Sequence, residues 1–232
     1  MTATAAIPQH PIRAGSARLQ TVDLRGPEGR LEAVLNEGAD DAPFSAVICH
    51  PHPLGGGTLH NKVVYHAMKA LNAPAWRLRW PVLRFNFRGT GRSEGLHDGS
   101  AETGDVLAAI DWLKKQYGLP VVAVGFSFGA AMALRAVKSN VSGVRAVAAL
   151  GLPTRAEGRA YQYSFLADLT LPKLFLSGDL DQFSSPAELE QVAARAADPK
   201  HLVFIPGADH FFNGKLESMQ QALTGWLKEC VL

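Results

Sequence analysis

The chain has 232 residues, 47% of them apolar, which is the size of one α/β domain with a substantial buried core. Its 23 basic and 21 acidic side chains leave a net charge of +2, and no run of like charge stands out, so neither a nucleic-acid partner nor a membrane-surface patch is expected. Two cysteines, Cys49 and Cys230, are too few for a disulfide framework and form no CxxC pair, which suits a reducing compartment.

The first sixteen residues lack a basic start followed by an apolar core, so they read as a flexible tail rather than a secretory signal. No apolar stretch has the length of a membrane span. The expectation is a cytoplasmic protein with one domain over 17–232.

Residues 17–24 and 30–38 alternate in polarity around a Gly26-Pro27 turn and predict a hairpin. "FSAVICH" (44–50) is a short, nearly continuous apolar run, as in a buried parallel strand. A helix follows at 61–72 and a strand at 81–87. The helix at 101–118 has Val106, Ile110 and Leu113 on one face and stops at Gly118. Strand 120–126 leads into helix 129–139, and strands 144–151 and 173–178 come next. Helix 186–197, strand 201–207 and helix 215–232 close the chain. A hairpin followed by strand–helix units predicts an α/β fold: a mostly parallel sheet of about eight strands with helices on both faces. Only about twenty residues separate strands 144–151 and 173–178, too few for a large cap domain.

Ligands of parallel sheets collect at the carboxyl ends of strands. There, "GFSFG" (125–129) places Ser127 at a strand-to-helix turn between two glycines. Such a turn crowds the backbone and pushes the hydroxyl outward. A capping serine among packing glycines is the plainer alternative. A nucleophilic serine needs a base, and the base an orienting acid. Two histidines follow Ser127: His201 opens a strand, whereas His210 lies in the loop after the last strand. Asp179 and Asp181 both follow strand 173–178; Asp179 fits a turn-shaping role, which favours Asp181 as the acid.

Ser127, Asp181 and His210 sit where the α/β-hydrolase family places its triad. The loop "HPHPLGGG" (50–57) and the stretch "FNFRGTGRSEGLHDG" (85–99) resemble small, lidless bacterial serine esterases related to dienelactone hydrolases. Dienelactone hydrolases proper use cysteine as nucleophile, and this chain has serine. The resemblance implies an α/β-hydrolase fold and a two-donor oxyanion hole. One donor is the N–H of Phe128; the other comes from the 50–57 loop, where Pro51 and Pro53 have none to give. Aligning the loop on its second His-Pro favours Leu54, counting from the strand end favours His52, and the first is preferred. Gly55 to Gly57 let the backbone pass close to the substrate, and Phe126 walls the elbow, so Gly55, Gly56 and Phe126 are expected to line the substrate site.

His50, His52 and His60 also suggest metal ligands, but the surrounding prolines and glycines fit a backbone-donor loop better, and no metal or organic cofactor is expected. "GGGTLHNK" lacks the ending of a phosphate loop. Arg88 reads as a structural residue of its turn, and Arg92 or Ser93 as a border of the entrance. Tyr161, Tyr163 and Phe165 complete the walls. The expected activity is hydrolysis of short- to medium-chain carboxylic esters through an acyl-enzyme on Ser127. The expected partner is a small ester substrate, with the protein a monomer or homodimer. Thioester, peptide or acyl-transfer chemistry on the same triad, and a non-catalytic binding module, are the alternatives.

Overall fold

The computed structural model describes residues 18–156 and 159–232; the expected tail over 1–16 lies outside them. An eight-stranded sheet runs in the order β1-β2-β4-β3-β5-β6-β9-β10. Strands β1 (Leu19–Gly26) and β2 (Gly29–Asn36) form the antiparallel hairpin, and β2 also runs antiparallel to β4 (Val82–Phe85). From β4 onward every pairing is parallel, through β3 (Ser45–Cys49), β5 (Val121–Phe126), β6 (Val144–Leu150), β9 (Lys173–Gly178) and β10 (Lys200–Ile205).

Every residue of β3 and β5 is buried, which explains why their sequences are continuous apolar runs rather than alternating ones. Alternate residues of β5 still serve different layers. Val121 and Ala123 pack with α2 (Glu102–Tyr117) and α3 (Phe128–Ala136); Val122, Val124 and Phe126 pack with α1 (Lys62–Asn72) and α5 (Leu216–Cys230). The helix ends carry ordinary signals. Asn61 caps α1 by accepting the Val63 N–H, α2 stops at Gly118 with φ 66°, and α4 (Pro186–Arg195) opens on a Ser185–Glu188 capping box.

The stretch between β6 and β9 is not bare loop. It holds a small antiparallel pair, β7 (Arg155–Ala156) and β8 (Arg159–Ala160), and a 3₁₀ turn at Ser164–Ala167. Two-residue strands leave no periodicity in the sequence, so pattern alone does not reveal them. Among the described residues no helix is long and apolar enough to cross a membrane.

Candidate active site

Ser127 lies between the last residue of β5 and the first of α3, with φ 56° and ψ −121°. A non-glycine residue with positive φ is strained, and the surroundings must impose it. They do so through close backbone packing. A β-carbon on Gly125 would lie 2.5 Å from the Ala130 nitrogen, and one on Gly129 would lie 2.5 Å from the His50 carbonyl oxygen. Only glycine permits α3 to start this close to β5 and to the end of β3. The Ser127 N–H is tied to the Leu150 carbonyl at 2.9 Å, and the hydroxyl projects from the turn.

His210 Nε2 lies 2.9 Å from Ser127 Oγ, and His210 Nδ1 lies 2.8 Å from Asp181 Oδ2. A ring that donates to a carboxylate from Nδ1 keeps the Nε2 lone pair for the hydroxyl proton. Both partner side chains are almost wholly withdrawn from solvent. Asp181 is itself fixed: Oδ2 also accepts the Ser177 hydroxyl at 2.9 Å, and Oδ1 accepts the Phe183 N–H at 2.8 Å. Asp179 is exposed and turned elsewhere, accepting the Gly207 N–H at 2.7 Å. His201 stands at the far end of β10, near Cys230 Sγ.

The two loop alternatives separate in the structure. The Leu54 N–H donates to the His52 ring at Nδ1, 3.1 Å away, and the Leu54 side chain faces solvent, so this N–H is already engaged. The N–H groups of His52 and Phe128 have no acceptor among the described residues. The first N–H groups of a helix lack intrahelical partners, which is Phe128's situation at the start of α3.

Two further expectations, Phe126 and Ser93, are corrected. Phe126 is fully buried behind His210, with ring centroids 5.0 Å apart, and supports the imidazole rather than lining a substrate surface. Gly55 and Gly56 are exposed on a one-turn 3₁₀ helix, and their N–H groups are bonded to His52 and Pro53 carbonyls. Of the three expected glycines Gly57 is the tightly packed one, against the loop's own backbone: a β-carbon there would meet the His52 carbonyl oxygen at 2.7 Å. Ser93 does not border the entrance; it bonds the Glu32 N–H and the Asn86 carbonyl beside the sheet edge.

His50 is buried with both ring nitrogens engaged by backbone. Nδ1 lies 2.6 Å from the Pro51 carbonyl, and Nε2 accepts the Phe87 N–H at 3.0 Å. These partners define a neutral ring with its proton on Nδ1. Burial pushes its pKa down to about 4, so the ring stays neutral and staples the 50–57 loop to the chain just after β4. Arg88 holds the buried Asp105 carboxylate of α2 at 2.7 Å.

Two residues at this site escaped sequence reasoning. His97 Nδ1 lies 2.6 Å from Oε1 of the fully buried Glu102, and the His97 ring stands edge-on to His52 with centroids 4.7 Å apart. Glu102 also accepts the Asp98 and Gly99 N–H groups at 2.9 Å. Although burial alone would raise its pKa, these donors and His97 hold the carboxyl below the usual range. The only hint in the sequence was an acid in the first turn of a helix, which ordinarily serves the helix itself.

A strand-to-helix elbow, an eight-stranded sheet and a Ser–His–Asp hydrogen-bonded array define the α/β-hydrolase class. The family model of an alpha/beta hydrolase domain matches residues 55–230, and the chain belongs to that family. It is 35% identical over 212 residues to the uncharacterized protein RP471 of Rickettsia prowazekii, covering 88% of this chain and 87% of that one. Among solved structures it is similar to XC6422 of Xanthomonas campestris, described as an a/b serine hydrolase without lid. That match has a TM-score of 0.78 and 29% identity, over 96% of this chain and 98% of the other. An alpha-beta serine hydrolase homologue from Coxiella burnetii matches with a TM-score of 0.79 and 29% identity, over 93% of this chain and all of that one.

Proposed function

We propose that this protein hydrolyses carboxylic esters through an acyl-enzyme on Ser127. The observation that carries the reading is the unbroken array from Ser127 Oγ to His210 Nε2, at 2.9 Å, and from His210 Nδ1 to Asp181 Oδ2, at 2.8 Å. Ser127 Oγ adds to the ester carbonyl carbon while His210 Nε2 takes the hydroxyl proton. The carbonyl π bond breaks and its oxygen becomes an oxyanion, which accepts hydrogen bonds from the Phe128 and His52 N–H groups. Asp181 holds the imidazole in the productive tautomer and stabilises the imidazolium that forms. Collapse reforms the carbonyl and expels the alcohol oxygen, which takes its proton from His210 Nε2. Water then attacks the acyl carbon while His210 Nε2 takes its proton; collapse breaks the bond to Ser127 Oγ, which regains its proton from His210, and the acid is released.

The chemistry asks that Nε2 be reachable and the imidazole rigid. Phe126, Phe183 and Phe211 surround the His210 ring at centroid distances of 5.0, 4.5 and 5.2 Å and restrict its rotation. A fluorophosphonate probe tests the reading directly. Rapid stoichiometric labelling at Ser127, abolished by Ser127→Ala, is the expected result; an unlabelled wild-type serine rules out acyl-enzyme chemistry. A parallel panel of oxygen esters and thioesters decides which acyl donor is preferred.

A further inference from the structure

The two phenylalanines of the elbow mark two sides of Ser127. Phe126 packs on His210, and Phe128 packs on His52 and His97. The departing alcohol must collect its proton from His210, so the acyl half points toward Phe128. On that side a cleft of about 570 Å³ lies between the Pro53–Gly55 turn, the loop before α2, helix α3 and strand β8. From Phe128 to Arg135 it follows seven residues of α3, or about 10 Å of helix at 1.5 Å per residue.

Four nitrogen-bearing side chains, His52, His97, Arg135 and Arg159, line this cleft, with Phe128, Leu54 and the Tyr161 ring as its apolar part. His52 Nδ1 accepts the Leu54 N–H, which leaves the ring proton on Nε2. Burial, with Arg159 and His97 nearby, holds that ring neutral by lowering its pKa to about 4. His97 is clamped by the buried Glu102 carboxylate and sets the edge-on orientation of the His52 ring. Among the described residues neither Arg135 nor Arg159 forms an ion pair. The other acid of the cleft, Asp98, accepts the Ser100 and Ala101 N–H groups within its own turn. An aliphatic chain laid here would strip water from two guanidinium groups with no compensation, whereas a carboxylate would replace that water with charge-assisted hydrogen bonds.

We propose that this cleft is the acyl subsite and takes a short acyl chain ending in a carboxylate, held by Arg135, Arg159 and the His52 Nε2–H. His97 and Glu102 are positioning residues for His52. The inference rests on the ester-hydrolase reading above for its acyl assignment. Methyl hydrogen glutarate and methyl pentanoate have acyl chains of equal length and differ in the terminal charge. In pH-stat assays above neutrality, the wild type is expected to favour the half-ester about 10- to 100-fold in kcat/KM, the range of a charge-assisted hydrogen bond. The ratio falls toward one in the Arg135→Gln/Arg159→Gln double variant and is largely kept in the corresponding lysine pair. Equal rates in the wild type, or a preference that the glutamine pair retains, overturns the assignment.

Calorimetric titration of Ser127→Ala with glutarate reads the cleft without turnover. Saturable binding that disappears in the arginine double variant supports the site, and no binding overturns it. If the wild-type serine resists fluorophosphonate while glutarate still binds through the arginines, the hydrolase reading fails and the anion site stands.

Discussion

A β-carbon on Gly129 would sit 2.6 Å from the carbonyl carbon of Cys49, so the start of α3 is pressed against the end of β3 as tightly as two backbones allow. That contact brings the Ser127 turn beside the 50–57 loop, which begins one residue after Cys49. Gly129→Ala must push the two apart. The expected effect is about 2–4 kcal/mol of lost stability, as for other overpacked sites, and a fall in Tm of roughly 5–15 °C at this chain length. Gly55→Ala is the control: nothing lies within 4 Å of its β-carbon position, and its Tm should match the wild type. Thermal denaturation of the two variants checks the contrast, and equal Tm values would mean that the elbow tolerates separation.

The acid is tested by the two aspartates after β9. Asp181 touches His210, Ser177 and the Phe183 N–H, whereas Asp179 only accepts the Gly207 N–H at an exposed turn. Asp181→Asn replaces an acceptor by an amide able to donate to Nδ1, which favours the wrong tautomer. The expected loss is about 10³- to 10⁴-fold in kcat. Asp179→Asn should keep kcat within a few-fold of wild type. Steady-state kinetics on one activated ester decides the ranking; the reverse order would transfer the orienting role to Asp179.

His50 makes stability depend on pH. Its pKa falls from an ordinary 6.5 in the unfolded chain to about 4 in the fold. Between those values the unfolded state binds more protons, so stability falls as pH drops from 6.5 toward 4 and levels off below that. At a linkage of 1.36 kcal/mol per pKa unit, this one ring accounts for up to about 3 kcal/mol of acid destabilisation. Urea melts of the wild type and of His50→Gln at neutral and mildly acid pH should show a shallower acid dependence in the variant. An unchanged pH slope would mean that the ring is not held neutral.

Acyl-chain length probes the size and polarity of the cleft. Each buried methylene adds about 0.8 kcal/mol of binding, but only while apolar wall remains to cover it. Phe128 and Leu54 provide that wall for the first carbons, and Arg135 and Arg159 stand beyond them. For neutral p-nitrophenyl esters, kcat/KM is expected to rise from acetate over the first few carbons and then flatten or fall. A steady rise to palmitate, measured below micelle formation, would require an extended apolar groove and point to a lipase or acyl-thioesterase.

The sequence by itself determined the architecture and the three polar residues of the array. Continuous apolar strands alternating with amphipathic helices admit one layer arrangement, and a serine between glycines at a strand-to-helix turn leaves little choice of backbone. Serine, acid and histidine then fall, in that order, at the ends of β5, β9 and β10 because parallel connections return every such end to the same edge of the sheet. Contacts between residues distant along the chain were decided only by the tertiary structure. Asp181 outranks Asp179 because Ser177 and the Phe183 N–H orient its carboxylate. The Leu54 N–H is engaged because a side chain two residues back takes it, while that of His52 has no acceptor among the described residues. Phe126 serves His210 rather than substrate because β5 turns it into the layer beneath the imidazole. The pairing of His97 with Glu102, and the arginine-lined cleft beside it, depend on where a loop, a helix and a two-residue strand meet. Local patterns record what each segment does with its own neighbours; they carry no signal for which loops converge once the sheet has formed.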